Sequence, residues 1–149
     1  MPEGIDVIII DDDPEVCEGL TRLVQLYYVW GNVISFSDAD EATAYCLNQD
    51  NGLAVFVVDV FLGEKSGFYL LDSIADKFPM VYEDTVIITG HASNEVVDVC
   101  LASGINHLLE KPIRGYALEF AIRSIVMKYL TFAKKLLQDP EFAEDVNKI

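Results

Sequence analysis

Basic side chains are scarce in this sequence of 149 residues, which has 10 lysines and arginines against 25 aspartates and glutamates. The resulting formal net charge of −15 disfavours contact with the phosphate backbones of nucleic acids and with anionic membrane surfaces. We therefore expect neither nucleic acid nor a membrane among its partners. The hydrophobic fraction of 52% is nevertheless too high for a disordered acidic segment.

Cysteines are also few and far apart. Cys17, Cys46 and Cys100 form no Cys-x-x-Cys pair, which argues against a disulfide framework or a zinc site. No window approaches the roughly 18 apolar residues that cross a bilayer, and the first residues lack the basic and apolar regions of a signal peptide. We expect a cytoplasmic protein whose cysteines are buried or half-buried in helices.

Short apolar runs rich in β-branched residues predict the strands. Three of these runs are nearly continuous, and two weaker candidates complete the set. Runs without polar alternation are typical of parallel strands that are covered by helices on both faces. The five predicted strands span residues 7–10, 32–36, 53–58, 86–88 and 107–109.

Amphipathic segments between these strands predict five helices. Each follows a capping residue or a proline, and Gly104 ends the fourth. Asp13 is interpreted as the cap of the first helix and not as a ligand. The alternation of strand and helix predicts an α/β fold, a doubly wound (βα)5 domain with a parallel sheet. The helices are expected to begin at Asp13-Pro14, Ser37-Asp38, Ser66, Ser93 and Pro112.

Charged and hydroxyl side chains follow the predicted strands at their carboxyl ends, where sheets of this type bind ligands. Asp59 lies within an apolar run, where an unpaired carboxylate is costly to bury. Lys111 or a hard divalent cation such as Mg²⁺, which prefers oxygen ligands, would compensate the carboxylates. The set predicts a site for a metal ion and a phosphoryl group. Its members are Asp11, Asp12, Asp59, Thr89 and Lys111.

Four motifs at these positions resemble those of the receiver domain of two-component response regulators. They are IIIDDDP, VVDVFLGEKSG, VIITGHAS and LLEKPI, and Thr89 stands 30 residues after Asp59 and 22 before Lys111, as in that family. The resemblance covers about residues 5–127. It implies a flavodoxin-like sandwich with the strand order 2-1-3-4-5. It also divides the chain into a receiver domain at residues 1–127 and a helical extension at residues 128–149.

The resemblance implies a phosphoacceptor and a metal site at the ends of the first and third strands. Asp59 would attack the phosphohistidine of a histidine kinase or of a histidine phosphotransfer protein and become an acyl phosphate. Asp12 would bind Mg²⁺ directly and Asp11 would assist through water. Asp59 and the backbone carbonyl of Phe61 would complete the protein ligands.

The fourth and fifth strands would supply the groups that bind the phosphoryl oxygens. The resemblance assigns this role to Lys111 and, once the phosphate arrives, to the hydroxyl of Thr89. It further implies a cis peptide bond between Lys111 and Pro112. His91 is expected at the rim of the pocket, and His107 is expected in a structural position.

Two positions depart from the family pattern. Gly63 stands where receivers usually carry proline, and Leu108 stands where they usually carry tyrosine or phenylalanine. Leu108 lacks the ring on which the usual coupling to the threonine depends, and Gly63 leaves its loop less restricted than proline would. These departures leave open a pseudo-receiver, a constitutive protein-interaction module with an inactive site. A hydrolase of the haloacid dehalogenase type is a further alternative, but it requires an aspartate at the position of Phe61.

The function implied is signalling through a downstream protein target, with self-catalysed phosphotransfer and autodephosphorylation but no enzymatic activity on a separate substrate. The 22 residues at 128–149 are too few for a DNA-binding or enzymatic output domain. This favours a stand-alone receiver, and a fragment of a longer regulator remains the alternative.

An apolar stripe continues beyond the receiver motifs. Its spacings of three and four residues predict a fifth helix that reaches Gln138 and is roughly 36 Å long. Since a strand of five residues is only about 17 Å long, this helix would extend past the sheet. We expect either a homodimer through the extended helix or a final segment, residues 140–149, that folds back onto it within one chain.

Overall fold

Strands and helices alternate along residues 4–148, the part of the chain that the computed structural model describes. The strands are β1 (Asp6–Ile10), β2 (Val33–Phe36), β3 (Ala54–Asp59), β4 (Phe61–Leu62), β5 (Lys65–Ser66), β6 (Thr85–Thr89) and β7 (His107–Glu110). The helices are α1 (Pro14–Gln25), α2 (Ala39–Leu47), α3 (Gly67–Ile74), α4 (Asn94–Ser103), α5 (Gly115–Gln138) and α6 (Pro140–Asn147).

The five longer strands form one parallel sheet in the order β2-β1-β3-β6-β7. Numbered among themselves in chain order, these strands follow 2-1-3-4-5, so the predicted fold class and strand order are confirmed. β3 lies at the centre of the sheet, and all six of its residues are buried. Because side chains alternate along each strand, β3 contributes to the cores on both faces.

Helices cover both faces of the sheet. One core contains Phe56 and Val58 with apolar side chains of α2, α3 and α4. The other contains Val55 and Val57 with side chains of α1 and α5. The three cysteines lie in α1, α2 and α4, and all three are buried and free, as the sequence predicted for their burial.

Four of the five predicted helix starts are confirmed by their caps. The side chains of Asp13, Asp38, Ser66 and Ser93 each accept a hydrogen bond from a backbone N–H in the first turn of α1, α2, α3 and α4. These bonds satisfy N–H groups that have no partner within the helix. Gly104 ends α4 with φ of 83°, a left-handed conformation that glycine adopts without steric cost.

The extended fifth helix is also confirmed. α5 has 24 residues, and its last side chain packed against the core of the sheet is Leu130, so its last two turns lie beyond that core. α6 folds back against this part, with the rings of Phe132 and Phe142 5.7 Å apart and nearly perpendicular. The ammonium of Lys135 lies 4.3 Å from the centre of the Phe142 ring. Residues 140–147 therefore pack within one chain, but they leave Phe132 and Leu137 exposed, so the homodimer through the extended helix stays a prediction.

Two features were not predicted as separate units. They are α6 and a small antiparallel hairpin formed by β4 and β5 between the third strand and α3. Residues 1–3 and Ile149, which belong to the predicted domain ranges, lie outside the described residues. Between residues 4 and 148, no helix combines the length and the apolar character that crossing a membrane requires.

Candidate functional site

Three carboxylates gather where the carboxyl ends of β1 and β3 meet. One oxygen from each of Asp11, Asp12 and Asp59 lies within 4.8 Å of the others. The register of the two strands explains this, because Ile10 of β1 is aligned with Val58 of β3, and Asp11 and Asp59 directly follow these two residues. Asp11 is fully buried and Asp59 is 5% exposed, whereas Asp12 is exposed. The structure thus brings the three predicted carboxylates together.

Lys111 reaches this cluster from the end of β7. Its Nζ donates to Asp11 Oδ2 at 2.7 Å and to Asp59 Oδ2 at 3.0 Å. The peptide bond between Lys111 and Pro112 is cis, as predicted. Burial acts to lower the pKa of Lys111, but the hydrogen bonds and charges of the two carboxylates outweigh it and raise that pKa. The lysine is therefore charged, and a single ammonium faces three carboxylates.

The buried carboxylate of Asp11 shows the consequence of this imbalance. Burial is the main cause that raises its pKa, and the charge of Asp59 raises it further. The hydrogen bonds that Asp11 accepts from Lys111 and from the backbone N–H of Asp13 compensate only in part. A carboxylate in this position is stabilised in its charged form by any additional cation. The chemistry of the donor set, oxygen atoms alone with excess negative charge, suits Mg²⁺.

The hairpin of β4 and β5 closes one side of the carboxylate cluster. The backbone N–H of Gly63 donates to Asp12 Oδ2 at 3.3 Å, and Gly63 has a left-handed φ of 66°. A proline, which receivers usually carry here, could not donate this bond. The N–H of Phe61 donates to Asp59 Oδ1 at 3.3 Å, while its ring is 63% exposed. The hairpin therefore orients two of the carboxylates, and the metal-binding role of the Phe61 carbonyl stays a prediction.

Thr89 is buried at the end of β6, but its hydroxyl is engaged with its own loop. It donates to the carbonyl oxygen of His91 at 3.1 Å and accepts from the N–H of His91 at 3.3 Å. The imidazole of His91 is largely exposed, which agrees with its predicted place at the rim. The hydroxyl thus lies at the predicted edge of the sheet, and the structure joins it to residue 91 and not to Asp59.

Glu110 is a residue of this edge that the sequence did not single out. It lies in β7, aligned with Thr89 of β6 and directly before Lys111. Its Oε2 accepts a hydrogen bond from the backbone N–H of Ala92 at 2.9 Å and lies 3.9 Å from His91 Nδ1. Its position directly before Lys111 could have indicated it, because the residue that precedes the lysine of the site also lies at the end of the strand.

His107 and Leu108, at the start of β7, lie away from the carboxylates. His107 begins β7, at the opposite end of the strand from Lys111, and it is partly buried. Burial, reinforced by the charge of Lys128, lowers the pKa of His107, so the ring is neutral at pH 7. Leu108 is partly buried and packs against the core formed with α2, α3 and α4.

A third buried carboxylate lies at the opposite edge of the sheet. Asp84, 1% exposed, directly precedes β6. It binds Lys128 Nζ at 2.5 Å and accepts a hydrogen bond from the hydroxyl of Tyr129. Both partners come from α5, so this cluster ties the start of the helical extension to the sheet. This cluster could not be predicted from the sequence, because nothing in the spacing of residues 84, 128 and 129 indicates a contact.

The fold and the acidic edge together define a class of signalling domain. Residues 7–123 match the family described as the response regulator receiver domain. The chain therefore belongs to the response regulator receiver domain family. This membership sets aside the hydrolase of the haloacid dehalogenase type.

Several known proteins are similar to this chain. The transcriptional regulatory protein CitT of Bacillus subtilis (strain 168) is 26% identical over 142 residues, which are 95% of this chain and 59% of CitT. The heme response regulator HssR of Staphylococcus saprophyticus is 23% identical over 122 residues, 82% of this chain and 51% of HssR. The chain thus spans only about half to three-fifths of the length of these curated relatives.

A solved structure shows the same fold. The crystal structure of a response regulator receiver domain protein from Clostridium thermocellum has a TM-score of 0.72 and 23% sequence identity. The match covers 90% of this chain and 99% of that one. It includes most of the described helices and strands and supports the flavodoxin-like arrangement.

Proposed function

We propose that this receiver accepts a phosphoryl group on Asp59 from a phosphohistidine of a histidine kinase or a histidine phosphotransfer protein, in a reaction that depends on Mg²⁺. The excess of carboxylates at one edge of the sheet carries this proposal. Lys111 neutralises one of three negative charges, which leaves a deficit of positive charge next to the proposed nucleophile. A divalent cation and an incoming phosphoryl group would complete such a site.

The proposed reaction breaks the bond between phosphorus and the donor imidazole nitrogen. An oxygen of Asp59 attacks the phosphorus, an acyl phosphate forms, and the electron pair of the broken bond stays on the imidazole. Asp11, Asp12, Asp59 and the Phe61 carbonyl would hold Mg²⁺, which when bound neutralises charge on the phosphoryl oxygens. The protein groups mainly position the reactants, since phosphoryl transfer needs little further covalent chemistry.

Lys111 and Thr89 have separate roles in this proposal. The ammonium of Lys111 already contacts Asp59, so it is placed to pair with a phosphoryl oxygen on that residue. The hydroxyl of Thr89 must release the carbonyl of His91 before it can donate to the phosphoryl group. Phosphorylation would therefore rearrange the loop after β6, and a protein partner in the cytoplasm would recognise the result.

The test is incubation with acetyl phosphate and Mg²⁺, followed by intact-mass spectrometry. We expect a phosphate-sized mass increment in the wild type and none in Asp59→Asn. Asp13→Asn is the matched control: it neutralises a neighbouring aspartate, and asparagine caps a helix as well as aspartate does. A wild type that gains no mass would contradict the proposal and favour the pseudo-receiver. A mass gain that persists in Asp59→Asn would place the acceptor elsewhere.

We also propose that the receiver forms a homodimer through the extension of α5. Beyond the sheet, Leu137 is 87% exposed and Phe132 is 47% exposed although α6 packs against this helix. A second copy would cover these side chains. Sedimentation at increasing protein concentration should show a dimer at tens of micromolar, and Leu137→Ser should weaken it. A monomer throughout that range would contradict the dimer.

A further inference from the structure

The loop between β6 and α4 is held by a side chain from the neighbouring strand. Oε2 of Glu110 accepts the backbone N–H of Ala92 at 2.9 Å and lies 3.9 Å from Nδ1 of His91. Hydrogen bonds from N–H groups to a carboxylate are stronger than those between neutral groups. Glu110 thus fixes the position of residues 91 and 92 relative to β7.

The same loop fixes the hydroxyl of Thr89. Its proton is donated to the carbonyl oxygen of His91, and its oxygen accepts the N–H of His91. A hydroxyl has one proton to donate, so it cannot bond a phosphoryl oxygen on Asp59 while this contact persists. Movement of residue 91 breaks both of these contacts and frees the hydroxyl, and the bond between Glu110 and Ala92 opposes that movement.

We propose that Glu110 is a positioning residue that latches this loop and holds the hydroxyl of Thr89 away from the acceptor. This inference rests on the proposed function. The latch favours the unphosphorylated conformation, and a contact made in only one of two states shifts the equilibrium by its own free energy. Glu110 therefore restrains the receiver and lowers the rate at which it is phosphorylated at a given supply of phosphodonor.

Two substitutions separate the hydrogen bond from the charge of Glu110. Glu110→Ala removes both, whereas Glu110→Gln removes the charge and keeps an amide oxygen that can accept the N–H of Ala92. Glu95→Gln removes an exposed charge in the first turn of α4, just beyond the loop, and serves as the control for charge alone.

The experiment measures the rate of phosphorylation by acetyl phosphate with Mg²⁺ and the solvent exchange of the Ala92 amide by NMR. We expect Glu110→Ala to be phosphorylated roughly two- to tenfold faster than the wild type, as the loss of one hydrogen bond implies. Its Ala92 amide should also exchange faster. Glu110→Gln should restore most of the wild-type behaviour, and Glu95→Gln should match the wild type in both measurements.

The outcomes distinguish the latch from the proposed function. If the wild type is phosphorylated and Glu110→Ala reacts at the same rate, the latch is wrong and the proposed function stands. Equal acceleration in Glu110→Ala, Glu110→Gln and Glu95→Gln would also overturn the latch, because charge alone would then explain the effect. A wild type that is not phosphorylated would overturn the proposed function together with the restraint inferred here.

Discussion

Two clusters of lysine and aspartate lie at opposite edges of the same sheet, and they differ in charge balance. At the amino edge, where the parallel strands begin, Asp84 is paired with Lys128 and accepts a hydrogen bond from the hydroxyl of Tyr129. At the carboxyl edge, where the parallel strands end, Lys111 contacts two of three carboxylates that lie within 4.8 Å of one another. The balanced cluster has the composition of a structural anchor. The unbalanced cluster has the composition of a site that binds a cation and an anionic group.

The largest expected effect on stability comes from breaking the balanced cluster. Lys128→Met leaves the carboxylate of Asp84 buried without its ammonium partner. Because Lys128 is 40% exposed and Tyr129 still donates to Asp84, we expect a loss of about 1–3 kcal/mol in the free energy of unfolding, below that of a fully buried pair. Urea denaturation measures it, with Lys134→Met, which alters an exposed lysine of α5, as the control. A variant as stable as the wild type would contradict the anchoring role.

At the carboxyl edge, removal of a carboxylate should raise the free energy of unfolding or leave it unchanged. Asp11→Asn relieves repulsion with Asp59, and Lys111 keeps its contact with Asp59. Without Mg²⁺ we expect the free energy of unfolding to match the wild type within about 0.5 kcal/mol or to exceed it. Urea denaturation in a chelating buffer measures this. A loss comparable to that of Lys128→Met would show that the two edges do not differ as described.

The stability that the balanced cluster contributes should also depend on pH, through the hydroxyl of Tyr129. Burial, followed by the hydrogen bond to Asp84, raises the pKa of Tyr129 above its usual value of about 10. The folded state therefore holds this proton more tightly than the unfolded state. The contribution of the neutral hydroxyl to the free energy of unfolding is fully present below about pH 10 and is lost as the pH rises above this value.

Tyr129→Phe removes this contribution. We expect the variant to be about 0.5–1.5 kcal/mol less stable than the wild type at pH 8. The difference should narrow as the pH rises beyond about 10. Urea denaturation of both proteins between pH 8 and 11 measures it. A difference that stays constant over this range would show that the hydroxyl of Tyr129 does not titrate with folding.

The carboxyl edge could be predicted from the sequence because strand ends follow from local patterns. Each apolar run stops at a charged or hydroxyl residue, and parallel strands place those residues on one edge of the sheet. Asp11, Asp59 and Lys111 therefore meet as predicted. The caps at Asp13 and Ser93 could be predicted equally well, since they depend only on the first turn of a helix.

The remaining contacts depend on geometry that no local pattern contains. Asp84 contacts Lys128 only because α5 passes the amino edge of the sheet with Lys128 next to the start of β6. The contact of Glu110 with Ala92 requires a particular loop conformation and rotamer. The hairpin around Gly63 has strands of two residues, which are too short for any periodicity to indicate.

Titration with Mg²⁺ tests most directly whether the carboxyl edge is completed by a divalent cation. At constant ionic strength, the free energy of unfolding of the wild type should rise by about 1.4 kcal/mol for each tenfold increase in Mg²⁺ above the dissociation constant. Asp13→Asn should show the same rise and Asp12→Asn should lose most of it. A wild-type stability independent of Mg²⁺, or an equal response in Asp12→Asn, would contradict the assignment of this edge as a metal site.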